Sequence, residues 1–526
     1  MSERAKVLVR EKIADAGIEM LEERFDVDVD LEGDLAEMIG AYDAIIIRSA
    51  TKLSADLIEK GTRLRVIGRA GVGVDNVDVE AATRRGIIVA NAPESNVVST
   101  AEHTIGMLLA LARNIPQAYA AFKQGKWERS KWKGVELAGK TIGIVGLGKI
   151  GQQVARKASG LGMHVIAYDP VVSKERFREL GVERMESLDD LYARAEFLTL
   201  HAPRTAETTG MLNNEAFAKM RDGVRIINAA RGALITDNDL IAAIKSGKVA
   251  GAALDVYTQE PYTGPLTEVD EIVITPHLAA STSEAQDRAG TDVAEQVAAA
   301  LEGGLVTNAV NIPSLREEDL AILGPYLPLA VKLGRLAMEL AGGRAEKIEV
   351  SYFGTMASYD TRLLTLAVLN GAFEQREERP VNWVNARVIA EDRGIQVSEE
   401  SKPRSRDFTN LLRVRVFGDG SEVAVSGTTI GNDNRLWLVG ALGYELEVEL
   451  SPLMAFVRYD DVPGQIGRLG TLFGEAKVNI ANMAVSRTRQ GGTALMALSI
   501  DAPATPALTE SIEKAGFADA RFIDIG

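Results

Sequence analysis

The sequence predicts an α/β protein built from several domains, and three observations carry that prediction. Short β-branched runs alternate with helical patterns through roughly the first 280 residues, the pattern of βαβ units and parallel sheets. The stretch 453–526 runs instead in the order β-α-β-β-α-β, which suits a ferredoxin-like sandwich. At 526 residues the chain is also too long for a single hydrophobic core.

Taken in order, KVLV, DVDV, AIIIRS, LRVIGRAG and IIVANAP read as the strands of a first unit, residues 1–97. Ser99 and Glu102 have capping-box spacing and predict the start of a long helix. A second unit, 98–283, has its strands in KTIGIV, VIAYD, FLTLHAP, VRIINAAR, GAALDV and EIVITPH. Ser281 and Glu284 form another capping box, opening a helix that ends near Gly303. That helix is placed to carry the chain back, so residues 284–311 are expected to complete a discontinuous first domain. Beyond Pro313, Ser314 and Glu317 give a third capping box. Residues 312–452 read as mixed α/β, with helices near 317–341, 359–374 and 381–393 and a hairpin turning at Asp419-Gly420.

Composition narrows the function classes. A net charge of −15 with no broad basic face argues against nucleic acid as a partner. The absence of cysteine removes disulfides, thiolate nucleophiles and thiolate metal sites, and four histidines make a metal cluster an unfavourable reading. The N-terminal MSERAKVLVREKI lacks the apolar core of a signal peptide, and no stretch approaches a membrane span, so a cytoplasmic protein is expected.

Gly146, Gly148 and Gly151 form G-x-G-x-x-G between the strand TIGIV and the helix IGQQVARKA. The first permits the turn, the second admits a pyrophosphate, and the third lets helix and strand pack closely. The helix N-terminus then offers free N–H groups and partial positive charge to phosphates, which predicts a Rossmann-like dinucleotide domain. Asp169 closes the next strand at the distance expected of a ribose-diol acceptor. Its charge repels a 2′ phosphate, so NAD is expected rather than NADP.

Sites in open α/β sheets gather at the carboxyl ends of the strands. Those positions hold Arg48-Ser49, Arg69 to Gly73, Asn91 and Asn96 in the first unit. In the second they hold His201, Asn228 to Arg231, Asp255, Glu260 and His277. Three arginines suit bidentate binding of carboxylate or phosphate. His277 is the best candidate acid/base, with Glu260 to orient it and raise its pKa. A structural histidine beside a solvated glutamate remains the alternative. His164 reads as a core residue, His103 as core rather than cleft, and His201 equally as structural or cofactor-facing.

Together GLGKIG, Asp169, NAARG (Asn228 to Gly232), Asp255, QEP (Gln259 to Pro261) and TPHLAAST resemble the D-isomer-specific 2-hydroxyacid dehydrogenases. RSATK from Arg48, GRAGVGVDNVD from Gly68 and NAPESN from Asn91 resemble the branch acting on D-3-phosphoglycerate. The extension of roughly 215 residues is similar to that of its long form. The resemblance implies a flavodoxin-like substrate domain, a Rossmann-like NAD domain, an intervening allosteric substrate-binding domain and an ACT domain. It also implies the catalytic set Arg231, Glu260 and His277, acting on D-3-phosphoglycerate. Substrate contacts then fall to Arg48, Ser49, Arg69, Val72, Gly73 and Asn96. Cofactor contacts fall to Gly146, Gly148, Lys149, Ile150, Gly151, Asp169, His201, Ala202, Ala229, Ala230, Arg231, Asp255, His277 and Ala280.

In the ACT pattern Tyr459, Asp461 and Gly464 occupy effector positions, with Asn479 from a facing subunit, and L-serine is the implied effector. A homo-oligomer, dimer or tetramer, is implied as well. Lys126, Arg129, Lys131 and Lys133 then either reach a partner's phosphate site or form a solvated basic loop. Lys332, Arg335 and Arg344 read as a charged solvated face, with an anion site as the alternative. Two other functions stay open: a dehydrogenase for glycerate or another D-2-hydroxy acid, and a cofactor-sensing binding protein.

Overall fold

The computed structural model describes residues 4–526 except 305, 314–316, 378, 379, 490 and 518. Four sheets organise the described residues. The first contains β1 (Lys6–Val9), β2 (Asp26–Val29), β3 (Ala44–Ile47), β4 (Val66–Arg69) and β5 (Ile88–Asn91), all parallel. Its order, β2-β1-β3-β4-β5, is the flavodoxin-like one. β3 reads AIII and is wholly buried, as a strand covered on both faces must be.

The second sheet is also parallel. It contains β6 (Thr141–Val145), β7 (His164–Tyr168), β8 (Glu183–Arg184), β9 (Phe197–Leu200), β10 (Val224–Asn228), β11 (Val249–Leu254) and β12 (Ile272–Ile274). The order β12-β11-β10-β9-β6-β7-β8 reverses between β6 and β9, which places the Rossmann-like switch point beside the glycine turn.

Two helices cross between these sheets. Val97–Arg113 packs against β10, β11 and β12. Its N-cap is Asn96, so Ser99 lies inside the helix and the expected Ser99–Glu102 box does not form; Ser99 Oγ instead meets Thr282 Oγ1 at 2.8 Å. Ser283–Leu301 packs against β4 and β5 of the first sheet. Its cap is Thr282, one residue later than expected, whose Oγ1 accepts the Ala285 amide at 3.2 Å. Ser314 lies outside the described residues. The chain leaves the first sheet along β5: Val310 N donates to Val89 O at 2.7 Å, and Asn311 Oδ1 accepts the Val89 amide at 2.9 Å.

The third sheet is mixed, in the order β14-β13-β15-β16-β17-β18. Its strands are β13 (Lys347–Gly354), β14 (Gln396–Lys402), β15 (Asn410–Gly418), β16 (Ser421–Ile430), β17 (Arg435–Ala441) and β18 (Tyr444–Glu449). β15 and β16 form the expected hairpin; Asp419 (φ 50°) and Gly420 (φ 71°) are both left-handed, the I′ combination. Helices Tyr326–Leu340 and Arg362–Phe373 pack closely together, and the former also lies against β15 and β16.

The last sheet, β20-β21-β19-β22, is antiparallel: β19 (Leu453–Asp460), β20 (Ile480–Arg487), β21 (Thr493–Ile500) and β22 (Asp519–Asp524). This is the ferredoxin-like order. Ala455, Val457 and Tyr459 face the helices Gln465–Glu475 and Pro506–Lys514. The alternate residues Met454 and Phe456 join the core of the preceding sheet, together with Leu495, Ala497, Ile523 and Ile525. Lys332 and Arg335 serve this junction, donating to the Ile525 and Gly526 carbonyl oxygens. Arg335 is buried and also pairs with Glu374, so neither the solvated face nor an anion site describes that pair of cations. Arg344 is exposed on Asp419. Among the described residues no helix is long and apolar enough to cross a membrane.

Candidate active site

At the switch point, Gly146 turns with φ 91° and Gly148 caps the helix Lys149–Gly160. A Cβ on Gly151 would stand 2.2 Å from the Gly146 carbonyl oxygen, so only glycine lets helix and turn meet. Over Gly148 the space is open, the cradle a pyrophosphate needs. Lys149 pairs with Glu94, and Ile150 is half-buried behind it. Asp169 follows β7; its Oδ2 accepts the Leu147 amide at 2.8 Å and Oδ1 accepts Val171 and Val172 at 2.9 and 3.1 Å. The residues present fit a dinucleotide.

Across the switch, His201 and Ala202 follow β9. His201 Nε2 lies 3.0 Å from Thr199 Oγ1, and desolvation lowers its pKa to about 4, so the ring is neutral. After β10, Asn228 closes a turn, donating to Arg231 O at 2.9 Å and accepting from Ala230 N at 3.0 Å, with Ala229 buried between. Arg231 then reaches the first sheet: its Nε is 3.3 Å from Asp75 Oδ2, and Nη1 donates to Ala230 O at 2.8 Å. A Cβ on Gly73 would come within 2.6 Å of Nη2, so that glycine admits the guanidinium.

The first sheet supplies two further cations. Arg69 ends β4 with its buried Nε unpartnered. Burial, then the charges of Arg231 and Arg48, lower its pKa to about 10, leaving it cationic at neutral pH. Arg48 sits in a loop pinned by Glu11, which accepts the amides of Arg48 (2.8 Å), Ala50 (3.1 Å) and Thr51 (2.8 Å). Burial alone would raise the Glu11 pKa; those amides outweigh it and hold the carboxyl below its usual range. Ser49 is exposed in the same loop. Asn76 Nδ2 ties it further, donating to Arg48 O and Thr51 O at 2.7 and 2.6 Å. Asn91 Nδ2 donates to Val72 O at 2.6 Å, and Asn96 keeps a buried Oδ1 without a partner.

His277 follows β12 in a left-handed conformation, φ 53°. Its Nδ1 is 2.7 Å from Glu260 Oε2, and Glu260 Oε1 accepts the Tyr257 amide at 3.1 Å. With Nδ1 engaged, proton transfer falls to Nε2 on a half-exposed ring. Asp255 is fully buried. Its Oδ1 accepts Thr275 Oγ1 and Leu278 N at 2.6 and 2.7 Å, and Oδ2 accepts Ala279 N at 2.9 Å, just before Ala280. Burial would raise its pKa, but His103, Thr275 and these amides hold it down.

Two histidines depart from expectation. His164, expected in the core, opens β7 exposed and pairs with Glu183 at 2.8 Å. His103, also expected in the core, is partly buried with Nε2 3.2 Å from Thr275 Oγ1, beneath the His277 loop. Glu11 and Tyr257 were not singled out from the sequence, and Asp75 and Asn76 entered only within the stretch from Gly68. Glu11 and Tyr257 nevertheless lie just past the ends of β1 and β11, the positional signal that identified their neighbours.

Three known domain families match parts of the chain. The D-isomer specific 2-hydroxyacid dehydrogenase NAD-binding domain matches residues 105–279, the D-3-phosphoglycerate dehydrogenase intervening domain 322–439 and the ACT domain 454–517. The D-3-phosphoglycerate dehydrogenase of Archaeoglobus fulgidus is 42% identical over 99% of this chain and 100% of its own. That of Synechocystis sp. is 43% identical over 98% of this chain and 94% of its own. The chain belongs to the D-3-phosphoglycerate dehydrogenase family. The solved D-lactate dehydrogenase of Aquifex aeolicus complexed with NAD and lactic acid matches with a TM-score of 0.53 and 29% identity, over 59% of this chain and 100% of that one. In this member of the family, the glycine turn, Asp169, Arg231, Glu260 and His277 all fall inside the matched NAD-binding domain.

Within the ACT match, Tyr459 is buried, and burial with Asp461 raises its phenol pKa. Asp461 Oδ2 accepts Arg487 Nη1 at 3.0 Å, and Gly464 (φ 92°) caps the helix Gln465–Glu475. Asn479, just before β20, donates to Asp501 Oδ2 at 2.7 Å. Lys126, Arg129, Lys131 and Lys133 lie exposed beyond the helix Ile115–Lys123, near exposed Tyr119, Phe122 and Trp127.

Proposed function

We propose that this enzyme oxidises D-3-phosphoglycerate to 3-phosphohydroxypyruvate with NAD, the first step toward L-serine. The observation that carries the choice of substrate is Arg69: a half-buried guanidinium with a buried, unpartnered Nε that feels Arg231 and Arg48. Three neighbouring cations, with Asp75 as the one carboxylate paired to them among the described residues, suit a substrate bearing both carboxylate and phosphate. The relatives' names point the same way.

In this reading residues 1–97 with 284–311 bind substrate and 98–283 bind NAD. Residues 312–452 form the intervening domain and 453–526 the effector domain. Gly146, Gly148, Lys149, Ile150 and Gly151 hold the pyrophosphate, and Asp169 the ribose. His201, Ala202, Ala229, Ala230, Asp255 and Ala280 complete the cofactor surround. Arg231 binds the substrate carboxylate and polarises the C2 oxygen, while Arg48, Ser49, Arg69, Val72, Gly73 and Asn96 receive the phosphate-bearing remainder. Bound NAD supplies the acceptor for the hydride leaving C2. His277 Nε2 takes the C2 hydroxyl proton, and Glu260 on Nδ1 fixes the tautomer and steadies the imidazolium that forms. In reverse, the imidazolium returns that proton.

L-serine is the effector in this reading, its ammonium received near Asp461 and its carboxylate at the Gly464 helix start. Asn479 of a facing subunit completes that site. In this reading the enzyme is cytoplasmic, and homo-oligomeric, a state that the exposed Tyr119, Phe122 and Trp127 favour. The deciding experiment follows NADH consumption with 3-phosphohydroxypyruvate and with hydroxypyruvate, each with and without L-serine. Turnover of the phosphorylated substrate, suppressed by serine, is expected. Equal turnover of hydroxypyruvate would overturn the phosphate assignment, and indifference to serine would overturn the effector.

A further inference from the structure

His103 stands on the helix Val97–Arg113, outside every residue assigned above to cofactor or substrate, yet its imidazole ends on the floor of the catalytic loop. Nε2 is 3.2 Å from Thr275 Oγ1 and 3.3 Å from Asp255 Oδ1. The Thr275 hydroxyl itself is 2.6 Å from the same Oδ1. A carboxylate has no proton to give, so that contact uses the hydroxyl's one hydrogen. Toward His103 the hydroxyl can only accept. Nε2 therefore carries a hydrogen shared between Thr275 and Asp255, which fixes the tautomer of the ring.

Asp255 is the hub of this arrangement. It is fully buried, and among the described residues no lysine or arginine pairs with it. Its side-chain partners are Thr275, Leu278 N, Ala279 N and His103. Three of the four belong to the segment that carries His277, and the fourth is anchored on a separate helix. The backbone at His277 is left-handed, a conformation that costs a non-glycine residue about 1–3 kcal/mol and persists only when its surroundings enforce it. The His277 amide adds to the enforcement, donating to Thr275 O at 3.0 Å.

We propose that His103 is a positioning residue for the reaction: its Nε2–H completes the hydrogen-bond shell of Asp255 and thereby fixes the left-handed turn that aims His277. The inference rests on the reading of His277 as the acid/base. Without the His103 hydrogen, Asp255 keeps its bonds to the loop but loses its tie to the helix, and the loop gains freedom where the proton is transferred. No residue assigned above to substrate or NAD is itself replaced.

The test compares His103→Leu, which removes the donor, with His103→Gln, which restores an N–H at similar reach. Active sites are counted by NADH fluorescence titration, and kcat is expressed per NADH-binding site. His103→Leu is expected to lower kcat about 10- to 100-fold, with KM for 3-phosphohydroxypyruvate within about twofold of the wild type. His103→Gln is expected to recover most of that loss. A wild-type kcat per site in His103→Leu overturns the proposal, since a purely structural histidine lowers the number of sites and not their rate. Equal impairment in both variants overturns it as well, because the ring and not its N–H would then matter. Absence of turnover in the wild type overturns the reading of the reaction itself, and the inference falls with it.

Discussion

Arg69 carries a charge that Glu11 and Asp75 offset only in part. Burial and two neighbouring guanidinium groups already lower its pKa to about 10, so its cation is held at a cost to folding. Arg69→Gln is expected to lower kcat/KM for the phosphorylated substrate about 10- to 100-fold, the loss of one charge-assisted contact worth roughly 1.5–3 kcal/mol. The same variant should be more stable by about 1–3 kcal/mol in urea melts, since the desolvated charge is gone. His277→Asn is expected to lower kcat about 10²- to 10⁴-fold while NADH still binds, measured by turnover and fluorescence titration. His201 governs stability in acid. Its folded pKa of about 4 lies below the roughly 6.5 of an unfolded imidazole, so the fold favours the neutral ring. That contribution is full above about pH 6.5 and is lost as pH falls toward 4, to a limit of about 3 kcal/mol. Urea melts of His201→Gln should therefore show a shallower loss of stability between pH 7 and 4 than the wild type.

Elements were legible where a local rule dictates the backbone. The glycine turn needs φ 91° at Gly146 and a bare Gly151, and both requirements are written in the spacing. Helix starts were less legible, because serine and glutamate three apart also occur inside helices, and Ser99 does so here. At the helix Ser283–Leu301 the cap falls to Thr282, which also meets Ser99 across the packed helices. Thr282→Ala is expected to cost about 1–2 kcal/mol in thermal or urea unfolding, while Ser281→Ala stays within about 0.5 kcal/mol. His103 was misread for a related reason. Helical periodicity tells which residues face inward, but not that the inward neighbour is a carboxylate more than 150 positions later in the chain. His164 was misread because it opens its strand, where an apolar run does not guarantee cover.

At the scale of the molecule, the ferredoxin-like order of the last sheet followed from chain order and period. The way the last two sheets share a core did not, because alternation along a strand names two faces and not what covers them. Phe456 is 1% exposed in the core it shares with the third sheet. Phe456→Ala is expected to destabilise by about 3–5 kcal/mol. Hydrogen exchange should then show protection lost in β13–β18 as well as in β19–β22, whereas loss confined to the last sheet would mean two independent units.

That shared core bears on modularity. An ACT domain that seals its neighbour's interior cannot be lifted out and grafted elsewhere as a free-standing cassette. Its outer face would arrive bare, with Met454, Phe456, Leu495, Ala497, Ile523 and Ile525 open to water. Any chimera that exchanges ACT domains between such enzymes must therefore draw its seam before residue 317, so that the two sheets travel as one inheritance.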